Sequence, residues 1–484
     1  MNKTLRTLFG IFLSALSSLL LTLAFPPYGL WPLIFIGLVP VILAQHRIMP
    51  PRLSGVAYGI GIGGFFWGYF GGMFQGGPWF MEGLPVFIAL IAGLASHRDR
   101  AFHQRTRYRW FVLQGAAVWV GVEMIRGFIP VIGTWGFAAY ALYQQPWAIQ
   151  PSSIFGVYGV SLVILLLNYA LALGTLYLFD RQNREAFSPP GVTAQKTTRW
   201  LTAVGLVALA WTGLSLIQYQ VGIRRPAPTV RSAAVHPAFK VKTEEGVEKL
   251  ADETRVAAQQ GAKLVVWNEG ALPFDPQEEH TDTLRDLTEE TGVTLVIGYV
   301  VQTEQGSRNE TTVLTPEGEF LGVYGKDHPV AWSGETSLTR GTYPVFETTW
   351  GTLGTIICYD LDFTDTARKV VRNGAQVVAV PSYDWPAIAS KHYSHVVFRA
   401  VENRTSMIKA DIGFDSALID PYGRILEKQV TPQPEKAVLV SDMPLRTSNP
   451  PSLWLGDWIG WLSLAGLVGF TVYDQISARR ENNK

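Results

Sequence analysis

The stretch TIICYDLDF, residues 355–363, decides how the chain is read. It closes an apolar run, holds the only cysteine among 484 residues, and leads into the helical pattern FTDTARKVVRN at 363–373. A buried strand that turns into a helix belongs to an α/β layered domain. Cys358 then stands at the turn, with Tyr359 and Asp360 behind it. One cysteine excludes an internal disulfide and any CxxC metal or redox pair. Two readings of Cys358 stay open here. It is an inert core residue, or it is a nucleophile near a helix N-terminus, where a thiolate is favoured.

The surrounding residues 226–448 carry the same texture. Apolar, β-rich runs (TVRSAAVH, KLVVWNEG, VTLVIGYV, TTVLT, TLGTIICYD, QVVAVPSYD, SALID, AVLVSD) alternate in part with helical patterns near 241–260, 279–291, 364–373 and 390–404. About 220 residues of this kind suit one α/β domain.

The rest of the chain is of another kind. Overall, 48% of residues are apolar and 16% charged, and the net charge of +1 points to no nucleic acid. Long apolar runs fall near 8–25, 30–46, 53–73, 79–96, 110–127, 159–179, 200–219 and 453–473. Each approaches the roughly 20 residues that a helix needs to cross about 30 Å of hydrocarbon. Pro32, Pro40 and Pro85 lie inside these runs, which membrane helices tolerate when neighbours satisfy the freed carbonyls. The apolar N-terminal run is followed by TLAFPPYG rather than a small-residue cleavage site, so it reads as an uncleaved anchor.

Lys and Arg recur in alternate connections: Lys3 and Arg6; Arg47 and Arg52; Arg98 to Arg109; Arg181, Arg184, Lys196 and Arg199; Arg479, Arg480 and Lys484. The loops 26–29, 74–78 and 128–158 have none. The positive-inside rule then places both termini in the cytoplasm and residues 220–452 on the far side. The expected organisation is membrane helices 1–7 in residues 1–220, an extracytoplasmic domain at 221–450, and a last membrane helix with a cytoplasmic tail at 451–484. Residues 182–198 form a short polar cytoplasmic loop. Gly55, Gly59 and Gly63, then Gly64, Gly68 and Gly72, repeat at four-residue spacing and predict close helix packing or a dimer face. Glu123 and Arg126, costly in lipid, either pair or meet a lipid headgroup.

Three chemically able residues follow strands: Glu269 after KLVVWN, Lys326 after FLGVYG and Cys358 after TLGTII. Strand ends of an α/β sheet are where sites collect. A thiolate is the best side-chain nucleophile, a carboxylate can take its proton, and an ammonium can hold an oxyanion. His328, His392 and His395 show no evident ligand partners, and neither a metal nor an organic cofactor is called for.

The order Glu, Lys, Cys resembles the nitrilase, or carbon–nitrogen hydrolase, superfamily. Its setting between seven membrane helices and an eighth resembles bacterial apolipoprotein N-acyltransferase. The matching pieces are GVEMIRG at 121–127, IFGVYGVSLVILLLNYALA at 154–172, VVWNEG, YGKDH with a later GE, ICYD and RAVENR. The resemblance implies a polytopic membrane domain carrying an αββα sandwich, with the triad Glu269, Lys326 and Cys358. It assigns supporting roles to Glu335, Tyr359 and Asp360, and places Trp267, Trp332, Tyr383 and Trp385 near the substrate. The last three either face lipid or pack in the ordinary way.

There are departures. Trp267-Asn268-Glu269 stands for the usual Trp-Pro-Glu, HPVAWSGE is a residue longer than the family's loop, and Ser382-Tyr383-Asp384-Trp385-Pro386 replaces Ser-Asn-Asp-Ala-Trp-Phe. The activity implied is acyl transfer from a phospholipid to the N-terminal amine of a diacylglyceryl lipoprotein, through a thioester on Cys358, in the bacterial inner membrane. An anchored amidase or acyltransferase with another acceptor, and a non-catalytic lipid-binding scaffold, are the alternatives. Oligomeric state is not legible.

Overall fold

The computed structural model describes residues 3–74, 77–183, 191–238 and 244–482. Arg184, Lys484 and parts of the loops 74–78 and 182–198, used above for orientation, lie outside the described residues, as does the start of the helical pattern at 241–260. The helical part comprises α1 (Lys3–Ala24), α2 (Ser54–Phe70), α3 (Leu84–Ser96), α4 (Phe111–Arg126), α5 (Ser152–Gln182) and α6 (Ala194–Arg224). Four helices follow in the α/β part: α7 (Glu244–Gln259), α8 (Thr281–Thr291), α9 (Thr364–Arg372) and α10 (Pro386–Asn403). The last helix, α11 (Trp458–Asn482), returns to the bundle.

All eight apolar runs contain helix. Five segments, Lys3–Ala24, Trp31–Ile48, Trp79–Arg105, Ser152–Gln182 and Ala194–Arg224, are long and apolar enough to cross a membrane. The segment Trp31–Ile48 is irregular, because Pro32 and Pro40 remove donors. Its backbone is repaired from neighbouring helices. Asn168 of α5 gives Nδ2 to the Ile34 carbonyl at 2.7 Å and accepts from Leu38 N at 3.0 Å, while Ser17 of α1 accepts from Val41 N at 2.8 Å.

The glycine repeat has two faces. A Cβ on Gly55 or Gly59 would meet the Gly93 or Ala89 carbonyl of α3 at 2.3 or 2.6 Å, and one on Gly64 or Gly68 would meet Ser18 or Thr22 of α1. Close packing inside the bundle accounts for the repeat through Gly68; Gly72 lies past the helix, beside Ala387. Glu123 and Arg126 form no ion pair with each other. Glu123 accepts from Trp119 Nε1 and Ala138 N, and Arg126 donates to the Trp135 carbonyl, so both hold the chain at 135–138.

Ends of several helices meet at one side of the bundle. Arg6 donates to the carbonyls of Arg47 and Ile48, Arg47 pairs with Asp180 at 2.8 Å, and Arg98 and Arg105 pair with Asp474. The α/β part sits at the other side.

That part is built from β1 (Thr229–His236), β2 (Leu264–Val266), β3 (Thr294–Thr303), β4 (Gly306–Leu314), β5 (Phe320–Gly325), β6 (Val345–Thr348), β7 (Gly351–Thr355), β8 (Val377–Ser382), β9 (Ser406–Asp411), β10 (Asp415–Ile419), β11 (Ile425–Val430) and β12 (Ala437–Pro444). They form two six-stranded sheets, ordered β12-β1-β2-β3-β4-β5 and β11-β10-β9-β8-β7-β6. Val266, Val296 and Val313 of the first sheet pack against Val377, Ala379 and Ile408 of the second. Helices α7 and α8 cover the first sheet's outer face through Val247, Leu250, Leu284 and Leu287. Helices α9 and α10 cover the second, and their far sides join Tyr140, Val157 and Tyr158 of the membrane part in one continuous core. This is the expected αββα sandwich, seated by its second helix layer on the bundle.

Three strands were not legible in the sequence. The edge strands β6 and β11 are short or polar, and the fully buried β9 is interrupted by Lys409 and Asp411, which are buried with partners.

The packing predicts that Gly59→Val lowers thermal stability in detergent by about 1–3 kcal/mol, because the α3 backbone cannot retreat. Gly205→Val on α6, where nothing lies within 4 Å, should leave the melting curve unchanged.

Candidate active site

Glu269 and Lys326 come from the first sheet, at the exits of β2 and β5; Cys358 comes from the second, after β7. Glu269 N donates to the Ser382 carbonyl at 3.3 Å, a direct backbone link between the two sheets. Lys326 Nζ lies 2.8 Å from Glu269 Oε1 and 3.0 Å from each oxygen of Glu335, and all three residues are largely buried. Asn309 on β4 donates its amide to Glu269 Oε1 at 2.6 Å and also to Glu335. Burial alone would lower the Lys326 ammonium, but Glu269 and Glu335 hold it well above the ordinary lysine value. Burial pushes the Glu269 carboxyl up, and Lys326 opposes that rise.

Cys358 has φ 44°, the left-handed region that a non-glycine residue adopts at a cost. It opens a 3-10 turn, Cys358–Asp362, and α9 begins only at Thr364. The expected helix N-terminus beside the thiol is therefore not what holds it. Burial and the Glu269 carboxylate push the thiol well above its ordinary value, against Lys326. Asp360 locks the turn: its carboxylate accepts from Ile357 N at 2.9 Å, His328 N at 2.8 Å and Tyr324 OH at 2.6 Å. It thus ties the chain after Lys326 to the cysteine turn, while Glu335 is the carboxylate that holds the ammonium.

A cavity of about 790 Å³ opens beside these groups. Glu269, Lys326, Glu335, Cys358, Tyr359, Trp332, Tyr383 and Trp385 line it, as do Met73 and Trp135 from the membrane part. Tyr359 OH donates to the Pro130 carbonyl at 2.7 Å, and Trp332 packs on Phe74 and Trp385. Trp267 is not brought here. Its fully buried ring belongs to the core beneath α7 and α8, with Nε1 donating to Thr254 at 2.9 Å.

Sequence reasoning missed Asn309, Asp384, His392 and Lys409. Asp384 Oδ1 lies 3.8 Å from Cys358 Sγ. Its carboxylate also meets His392 Nδ1 at 2.8 Å and Lys409 Nζ at 3.0 Å. Burial would raise the Asp384 carboxyl, yet His392 and Lys409 keep it well below the usual carboxylate range. Asp384 follows β8 just as Glu269 follows β2, so the strand-end argument already contained its signal. Asn309 and Lys409 sit inside strands, where one polar residue carries no such mark.

Residues 17–170 match the family model described as the apolipoprotein N-acyltransferase N-terminal domain, and residues 227–449 match the carbon–nitrogen hydrolase model. The apolipoprotein N-acyltransferase of Geobacter metallireducens is 25% identical over 501 residues, covering 94% of this chain and 93% of that protein. That of Thermosynechococcus vestitus is 24% identical, with coverage of 94% and 93%. Among solved structures, an amidase from Nesterenkonia sp. is similar at 21% identity with a TM-score of 0.39, covering 46% of this chain and 92% of its own.

The charges around Cys358 predict its reactivity. With the thiol raised, alkylation by iodoacetamide should keep climbing through pH 9, roughly tenfold per unit below the thiol's own pKa. Glu269→Gln removes a charge that raises it, so the rate–pH profile should move to lower pH. An unmoved profile would separate the carboxylate from the thiol.

Proposed function

We propose that the chain, which matches the apolipoprotein N-acyltransferase N-terminal model and the carbon–nitrogen hydrolase model in its two parts, acylates lipoproteins. The donor is a phospholipid and the acceptor the α-amino group of an N-terminal diacylglyceryl-cysteine. One observation carries the reading: a carboxylate, an ammonium and the chain's single thiol line one cavity to which the membrane bundle adds Met73 and Trp135.

In this mechanism Glu269, raised by burial, takes the Cys358 proton as sulfur attacks the ester carbonyl. Lys326, together with the Tyr359 N–H, holds the oxyanion. The C–O bond breaks, Glu269 returns its proton to the leaving lysophospholipid oxygen, and a thioester remains on Cys358. The lipoprotein amine then attacks, Glu269 takes its proton, the C–S bond breaks, and the thiol is restored. Glu335 and Asn309 orient Lys326 and Glu269.

The proposed topology has eight crossings, with divisions at residues 220 and 450, both termini in the cytoplasm and the sandwich outside. The Lys/Arg bias supports it, as do the ion pairs that gather Arg47, Arg98, Arg105, Asp180 and Asp474 away from the sandwich. Exposed Trp79 and Phe80, in the turn before α3, suit an interfacial position. The altered residues Asn268, Tyr383 and Pro386 around the site favour one second reading, the same chemistry with a different acceptor.

The protein in detergent, given a phospholipid and a diacylglyceryl lipopeptide, should yield triacylated product by mass spectrometry. Cys358→Ala should yield neither product nor thioester, and Lys326→Met should reduce the rate about 10²–10³-fold. A thioester without lipopeptide product would move the assignment to another acceptor. Absence of both species from folded wild type would sink the catalytic reading.

A further inference from the structure

We propose that Cys358, Asp384 and His392 form a capture site for a thiophilic divalent cation, Zn2+ by its chemistry, and that its occupation caps the nucleophile and stops acyl transfer. The proposal rests on the reading of Cys358 as nucleophile. The cysteine sulfur, an Asp384 oxygen and a His392 ring nitrogen all lie within 4.8 Å of one another, and all three residues are buried. Tetrahedral zinc, with bonds of about 2.0–2.3 Å, sets its ligand atoms roughly 3.3–3.8 Å apart. Sγ and Asp384 Oδ1 are already 3.8 Å apart, and the 2.8 Å contact of His392 Nδ1 with Asp384 Oδ1 has only to open slightly.

The surroundings fit a ligand set. Lys409 binds Asp384 Oδ2 at 3.0 Å, which fixes the carboxylate with Oδ1 toward sulfur. On the ring's other side, His392 Nε2 is buried without a hydrogen-bond partner and faces Asp362 Oδ1 at 3.7 Å, an oxygen that also meets His395 Nδ1. A metal on Nδ1 fixes the tautomer with hydrogen on Nε2, and a small tilt then lets it donate to Asp362. That supplies the carboxylate–histidine–metal arrangement that tunes zinc sites, and it gives a partner to the buried His392 Nε2, which the acyl-transfer chemistry leaves unused. The fourth position opens on the cavity, which is also the entry path.

The ligand softness selects the ion. A thiolate with imidazole and one carboxylate suits Zn2+ and disfavours Mg2+ and Ca2+, which require oxygen. As the Zn–S bond forms, the thiol proton leaves to solvent. No electron moves, and the step reverses when a chelator removes the ion.

The lone cysteine makes the test clean, because every alkylated molecule reports on this position. The full-length protein in detergent is titrated with ZnCl2, iodoacetamide modification of Cys358 is followed by mass spectrometry, and bound zinc is measured by equilibrium dialysis. The expected result is alkylation slowed at least tenfold at saturation, recovery with EDTA, no effect of MgCl2, and loss of one zinc equivalent in Cys358→Ala. His392→Gln should shift the zinc midpoint upward at least tenfold while alkylation without zinc keeps its rate. If His392→Gln does not fold, Asp384→Asn tests the zinc midpoint instead, read against its own zinc-free alkylation rate because Asp384 also raises the thiol. Unslowed alkylation, or a midpoint unmoved by both variants, would overturn the site. The readout requires no acyl transfer, so failure of the acyltransferase reading appears separately, in the zinc-free product assay.

Discussion

The site depends on one buried charge. Lys326 carries its ammonium into the protein interior, and an uncompensated charge there costs several kcal/mol. Glu269 and Glu335 compensate it, and Asn309 spans both carboxylates with one amide. This arrangement leaves each group a narrow range of positions. Glu269 must end β2 where Lys326 leaves β5, although two strands, β3 and β4, lie between those exits. The same constraint sets the chemistry. An ammonium held between two carboxylates stays charged for an oxyanion, and a carboxyl raised by burial is a competent proton acceptor.

A second constraint fixes the nucleophile. A left-handed cysteine persists only where its surroundings over-determine it. Asp360 does this with three bonds from three separate places, the turn itself, the chain after Lys326 and Tyr324 of β5. The thiol is thereby aimed at the cavity without the stabilisation of a helix N-terminus. Burial and the Glu269 carboxylate raise its pKa, which is why the proposed mechanism gives it a base.

The parts legible in the sequence were those with a periodic or positional signal. Apolar runs located helices of the bundle, five of them in segments long and apolar enough to cross a membrane, and strand-end position singled out Glu269, Lys326 and Cys358. The rest lacked such a signal. Trp267 sits two residues from Glu269, yet its ring packs under α7 and α8 rather than in the cavity, a matter of which sheet face it takes. Strand β9 was hidden because Lys409 and Asp411 break its apolar run. Both are buried for partners, Asp384 and the Asp384 backbone, that lie about 25 residues away in sequence. Long-range polar satisfaction of this kind is decided by tertiary structure and leaves no local pattern.

Base and nucleophile belong to different sheets, which has an energetic consequence. The distance between Glu269 and Cys358 is set by how the sheets stack, through the layer of Val266, Val296, Val377, Ala379 and Ile408, and by the backbone bond from Glu269 N to the Ser382 carbonyl. Native packing in such a layer has few voids, so it holds one stacking distance stiffly. The second sheet is in turn fixed to the bundle. Glu402 accepts from Val157 N at 2.6 Å, Arg368 pairs with Asp457 at 2.6 Å, and Thr134 N donates to the Asp362 carbonyl at 3.0 Å. Cys358, just past β7 of this anchored sheet, is thus the candidate site residue held most directly by the membrane part, while Glu269 and Lys326 ride on the outer sheet. In the proposed mechanism a lipid ester delivered along the bundle would therefore reach Cys358 from its anchored side, with Glu269 and Lys326 presented by the other sheet.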